Sequence, residues 1–114
     1  MKENWLVKET SETSDKFGKS PKARTIEEHL KNGLVILDKP AGPTSHQVAS
    51  WAKDIFHAKK CGHSGTLDPN VTGVLPLQLD NATKIIPALV RGVKEYICWM
   101  KLHEDVDEEL VRIK

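Results

Sequence analysis

The stretch Gly33-Leu34-Val35-Ile36-Leu37-Asp38-Lys39-Pro40-Ala41-Gly42-Pro43-Thr44-Ser45 decides the fold. Its first half is an unbroken apolar run between turn residues, the pattern of a strand covered on both faces. Pro40 and Pro43 exclude a ladder or a helix interior, so the chain loops there. Thr44 or Ser45 can then cap a helix. Val48, Trp51, Ala52, Ile55 and Phe56 follow at i, i+3, i+4, i+7 and i+8, which makes one apolar stripe, with Lys53 and Asp54 off it.

Working outward from that unit, Lys59 to Gly73 reads as a glycine-punctuated loop. Val74 to Leu79 reads as a short strand, with Pro76 pointing to an edge or a bulge. Asp80 or Asn81 can cap a second helix through Ala82, Lys84, Ile85, Ile86 and Leu89, kinked or shortened by Pro87 and ended by Gly92. Lys94 to Leu102 alternates, Tyr96, Cys98, Met100 and Leu102 against Ile97, Trp99 and Lys101, which is a strand pattern. Upstream, residues 1–25 form a polar extension, partly mobile or docking as an arm through Trp5, Leu6 and Val7. Lys16, Lys19, Lys22 and Arg24 make its end basic, as in a solvated tail or an RNA contact. Ordered structure is expected from Ile26. The order is strand, helix, long loop, strand, helix, strand: an α+β class with a mixed sheet flanked by helices, incomplete at its C-terminal side.

The 114 residues suffice for one small domain or a piece of a larger one. A 39% hydrophobic and 29% charged composition excludes a collagen-like or low-complexity chain. The formal net charge of +1 gives no whole-chain nucleic-acid footprint, so any such footprint is local. Residues 1–102 hold 15 basic and 11 acidic side chains, whereas residues 103–114 hold 2 and 5, in keeping with a solvated acidic loop at residues 104–109. Cys61 and Cys98 have no CxxC spacing and read as reduced thiols of a cytoplasmic protein. The longest apolar run is far short of the roughly 20 residues that a membrane span needs.

Chemistry is concentrated in Gly62-His63-Ser64-Gly65-Thr66-Leu67-Asp68-Pro69-Asn70-Val71-Thr72-Gly73. Its glycines permit tight backbone geometry, and Asp68 before a proline is biased to an extended conformation. Such a loop can hold one carboxylate at the rim of a sheet. An ordinary turn has the same composition, and a lone aspartate lacks the second carboxylate of a glycosidase pair. The residues therefore mark a site without naming a reaction. His46, His57, His63, Cys61 and Cys98 have no zinc spacing.

Leu37-Asp38-Lys39-Pro40-Ala41-Gly42-Pro43-Thr44-Ser45 and Gly62-His63-Ser64-Gly65-Thr66-Leu67-Asp68-Pro69 resemble the two signature motifs of the TruB/dyskerin pseudouridine synthases. Ala82-Thr83-Lys84 and Lys94-Glu95-Tyr96 fall where that family has further shared residues. The resemblance spans about Leu30 to Glu104. The wording Ser45-His46-Gln47-Val48 and Leu102-His103-Glu104 is most similar to the archaeal, RNA-guided branch, the catalytic subunit of box H/ACA ribonucleoproteins.

The resemblance implies isomerisation of uridine to pseudouridine in RNA, with no redox cofactor or metal. It places Asp68 as the essential aspartate, acting as nucleophile or base. It places Tyr96 as the aromatic shelf on which the flipped base stacks. His63 would sit near the flipped nucleotide, or be a loop histidine bonded to backbone. Lys39 would contact phosphate or, with Pro40, support the loop; Thr66 would shape the loop at the substrate. Lys59 and Lys60 are the local candidates for phosphate contact, with solvated lysines at a helix end as the plain alternative. The implied partners are guide RNA, substrate RNA and small H/ACA ribonucleoprotein proteins, with no membrane. A later motif that supplies a basic partner for the aspartate, and a C-terminal PUA domain, are expected elsewhere, so the 114-residue chain alone is expected to be inactive. A stand-alone synthase for the T-loop of tRNA would share these motifs. A non-catalytic RNA-binding or assembly module is the reading from another class.

Overall fold

The computed structural model describes residues 14–112; the segment Trp5-Leu6-Val7 lies outside the described residues. Two 3₁₀ turns, Asp15–Phe17 and Pro21–Ala23, lead into α1 (Ile26–Lys31). Thr25 starts α1 through a reciprocal cap. Its Oγ1 accepts the Glu28 N–H at 3.2 Å, and Glu28 Oε2 accepts the Thr25 N–H at 2.9 Å. Lys19 Nζ donates to Glu28 Oε1 at 2.7 Å and ties the entering chain to that cap.

Three strands follow: β1 (Leu34–Lys39), β2 (Cys61–His63) and β3 (Gly73–Leu79). Both pairings are antiparallel and the order is β1-β3-β2. The register sets Leu34 opposite Gln78, Lys39 opposite Gly73, and His63 opposite Leu77. α2 (Ser45–Ile55) lies between β1 and β2 in sequence and covers one face of this sheet. Thr44 caps it, with Oγ1 accepting the Gln47 N–H and Gln47 Oε1 accepting the Thr44 N–H. The core is Val48, Ala49 and Ala52 against Leu75 and Leu77, bordered by Val35, Leu37, Phe56 and Cys61.

The structure differs from the sequence reading in several places. The α2 stripe runs Ser45, Val48, Ala49, Ala52, while Trp51 and Ile55 are exposed. Small side chains let the helix approach the sheet closely, and Ile55 and Trp51 lie about 70° and about 110° round from the centre of that line. β1 is covered on one face only, the face on which α2 packs. Val35 and Leu37 meet α2, whereas Leu34 and Ile36 face outward with Val74. Pro76 sits in the central strand instead of an edge. Its carbonyl accepts the Ser64 N–H at 3.2 Å, just past the last β2 residue, so its missing N–H falls where the ladder has ended.

The loop of residues 59–73 contains β2, too short and too glycine-rich to stand out. At Gly62 a Cβ would come 2.6 Å from Ile86 Cδ1, so a larger residue requires that side-chain tip to turn. Finally, Lys94 to Leu102 forms no strand among the described residues. Ile97 and Trp99 are each 95% exposed. The alternation describes a strand with two faces, and such a strand forms only against a partner.

The second predicted helix is split by its proline into a 3₁₀ segment, Asp80–Ile85, and α3 (Ile86–Val90) with Pro87 in its first turn. Asp80 does not cap it by side chain. It has a left-handed φ of 43° and clamps β2 instead, accepting the Lys60 N–H through Oδ1 and donating its own N–H to the Lys60 carbonyl, both at 3.0 Å. The acidic stretch is solvent-facing and closes in a short helix, α4 (Glu108–Arg112). No described helix is long and apolar enough to cross a membrane.

Candidate active site

The proline loop after β1 and the start of α2 together grip the loop that carries Asp68. Lys39 ends β1 on the face that α2 covers, and its side chain is fully buried. Among the described residues no carboxylate forms an ion pair with it. Its ammonium donates into a ring of carbonyls: Pro40 and Val71 at 2.9 Å, Asp68 and Pro69 at 3.2 Å. A buried ammonium is tolerable only when its donors are satisfied, and these carbonyls satisfy them. Lys39 is therefore a loop anchor, the second of the two roles its sequence left open: its protons are directed to backbone carbonyls and not outward to phosphate.

Ser45, buried in the first turn of α2, holds the preceding residue. Its Oγ accepts the Leu67 N–H at 2.9 Å and donates to the Leu67 carbonyl at 3.0 Å. Gly42, with a left-handed φ of 113° that suits glycine, donates its N–H to the Pro69 carbonyl at 2.8 Å. A turn from the Asp68 carbonyl to the Val71 N–H, 3.0 Å, closes the loop.

Against this fixed backbone the Asp68 side chain is exposed. The ion pairs among the described residues, Lys19–Glu28 and Glu108–Arg112, do not involve it. Chemically, that is an ionisable carboxylate presented to solvent from a rigid mount, suited to act as nucleophile or base.

The other candidates distribute unevenly. His63 ends β2, half-buried, with Nδ1 against the Gly65 carbonyl, the backbone-bonded alternative of the sequence reading. Thr66 is exposed, two residues before Asp68. Between His63 and Thr66, Ser64 is buried and accepts Gln78 Nε2 at 3.1 Å; Gln78 Nε2 also reaches the Pro76 carbonyl at 3.2 Å. Gln78 Oε1 is buried with no hydrogen-bond partner among the described residues. Lys59 and Lys60 are exposed at the head of β2. Tyr96 is 68% exposed, on the unpaired C-terminal stretch. The structure thus gathers Lys39, His63, Thr66 and Asp68 into one loop system, and no hydrogen bond among the described residues joins Tyr96 to it.

Sequence reasoning missed Ser45 and Gln78 as holders of the loop. A lone amide in the apolar run Val74-Leu75-Pro76-Leu77-Gln78-Leu79 was the available signal for Gln78. At Cys61, near the same loop, burial, and secondarily the charge of Asp80, push the thiol pKa up, which disfavours the thiolate.

Comparison with known proteins adds to this geometry. Residues 53–112 match the TruB family pseudouridylate synthase N-terminal domain, and residues 1–49 match the DKCLD domain. A protein of Methanothermobacter thermautotrophicus named "Probable tRNA pseudouridine synthase B" is 50% identical over 109 residues, 96% of this chain and 34% of that protein. One of the same name from Methanopyrus kandleri is 55% identical over 104 residues, 91% and 31%. The chain thus spans about a third of the length of the curated relatives it matches. A crystal structure of the archaeal box H/ACA sRNP Nop10-Cbf5 complex superposes with a TM-score of 0.80 at 50% identity, covering 90% of this chain and 33% of that one. An H/ACA RNP bound to a substrate RNA containing 2′-deoxyuridine superposes with a TM-score of 0.80 at 48% identity, covering 92% and 33%.

Proposed function

The chain belongs to the TruB family of pseudouridylate synthases, and from that premise we propose that its protein isomerises uridine to pseudouridine in RNA as the catalytic subunit of an H/ACA-type ribonucleoprotein. The observation that carries this reading is the exposed carboxylate of Asp68 on a loop clamped by Lys39 and Ser45. The reaction breaks the bond from C1′ to N1 of uracil, forms one from C1′ to C5, releases the C5 hydrogen as a proton and leaves a proton on N1. Asp68 serves this exchange as nucleophile or base; no redox chemistry enters the balance. Tyr96 stacks on the everted base, and Lys59 and Lys60 meet phosphate.

The guided branch is favoured by the likeness to solved H/ACA assemblies that hold Nop10, Gar1 or substrate RNA. Guide RNA, ribosomal RNA as target, small protein partners and a cytoplasmic location are proposed with it. The names of the curated relatives favour a second reading, a synthase acting on tRNA. Release of tritium from 5-tritiated uridine separates the two. The guided reading expects release only from the assembled ribonucleoprotein with a guide that pairs to the substrate; release from tRNA by the protein without guide supports the second.

A further inference from the structure

The orientation of the Asp68 carboxylate has no side-chain support among the described residues, so it must come through the backbone. The peptide plane before Asp68 ends in the Leu67 carbonyl, which accepts the Ser45 hydroxyl at 3.0 Å. The plane before that carries the Leu67 N–H, which donates to the same Oγ at 2.9 Å. The plane after Asp68 carries the Asp68 carbonyl, held by Lys39 Nζ at 3.2 Å. With both flanking planes fixed, φ and ψ of Asp68 are fixed, and with them the direction of its Cα–Cβ bond. Ser45 is 1% exposed, and its hydroxyl is committed to Leu67 in both directions. Thr44, not Ser45, caps α2.

We propose that Ser45 is a positioning residue for the reaction: its hydroxyl locks the peptide before Asp68 and so aims the carboxylate at the uridine. This rests on the reading of Asp68 as the reacting group. Without the hydroxyl, the plane before Asp68 is released, and coupled changes in φ and ψ let the Asp68 Cα and its Cα–Cβ bond turn while its carbonyl stays near Lys39 Nζ. The carboxylate then swings without leaving the loop. Misaiming of that kind costs turnover and leaves binding of the RNA, which is spread over a much larger surface, largely intact.

The test is steady-state kinetics of the assembled enzyme on 5-tritiated uridine RNA, with variants Ser45→Ala, Ser45→Thr, Val48→Ala and Asp68→Asn. Ser45→Ala is expected to lower kcat by about tenfold to a hundredfold with little change in KM. Ser45→Thr, which keeps a hydroxyl, is expected to recover most of the rate. Val48→Ala thins the α2 core without touching the loop, so it should lower the melting temperature and spare kcat. In the wild-type enzyme the Leu67 amide should exchange with solvent more slowly than those of Thr66 and Asn70, a measurement that needs no variant. Unchanged kcat in Ser45→Ala, an equal kcat loss in Val48→Ala, or fast exchange at Leu67 would overturn the proposal. If those results come with an inactive Asp68→Asn, the positioning role alone fails; an active Asp68→Asn removes the reading beneath it as well.

Discussion

Lys39, fully buried at the end of β1, sets its ammonium 3.2 Å from the carbonyl oxygen of Asp68, 29 residues away in sequence. The first motif thereby acts on the second through a main-chain carbonyl, and the Asp68 carboxylate is left free. Replacing Lys39 by Met keeps length and removes the donors, leaving several loop carbonyls short of a partner. The expected loss is about 1–3 kcal/mol in urea denaturation. Lys39→Arg should not restore it, because a planar fork cannot sit where a compact ammonium reaches converging carbonyls. Wild-type stability in Lys39→Met would contradict the anchor.

Gly33 and Gly62 are both closed to a larger residue, for different reasons. A Cβ at Gly33 would stand 2.8 Å from the His29 carbonyl oxygen, which belongs to the end of α1. At Gly62 it would stand 2.6 Å from Ile86 Cδ1, the tip of a side chain that can turn away. Gly33→Ala should therefore destabilise more than Gly62→Ala, the latter by about 1 kcal/mol. Adding Ile86→Ala to Gly62→Ala should cost less than Ile86→Ala alone, a coupling that a double-mutant cycle reads directly.

The thiols should separate under alkylation of this chain at neutral pH. Cys98 is exposed and should react first. Burial holds the Cys61 thiol above its ordinary range, with Asp80 adding to the shift, so it carries little thiolate at neutral pH. Asp80→Asn should speed reaction at Cys61 by removing that charge; mass spectrometry of peptides after timed iodoacetamide treatment checks both.

Glu28 should couple α1 to pH. The bond from Lys19, followed by the Thr25 backbone N–H, lowers its pKa. A lowered carboxylate contributes stability above its ordinary range, and that contribution fades as pH falls through the lowered value. Lys19→Ala should raise the Glu28 titration midpoint in a side-chain NMR titration; an unmoved midpoint would show that the pair does not persist in solution.

Much of the frame was legible because local signals agreed. The run from Gly33 to Asp38, the prolines and Thr44 put β1, the loop and α2 in their places. What failed depended on neighbours. Periodicity allowed a stripe with Trp51 and Ile55, and only packing against Leu75 and Leu77 chose Ala49 and Ser45 instead. Pro76 looked like an edge signal, since nothing local says that β2 ends beside it. The strand pattern from Lys94 to Leu102 is sound in itself but pairs with no strand among the described residues. At the site, Asp68 stood out through the motif, not through composition. The burial of Lys39 and the reach of Ser45 to Leu67 are long-range facts that no window of sequence contains.

The claim that Asp68 is the reacting carboxylate is tested most directly by Asp68→Asn, which keeps size and most hydrogen bonding and removes the charge. In the assembled enzyme, tritium release from 5-tritiated uridine should fall to background while RNA affinity and melting temperature stay near wild type. Release at a rate comparable to wild type would contradict the account.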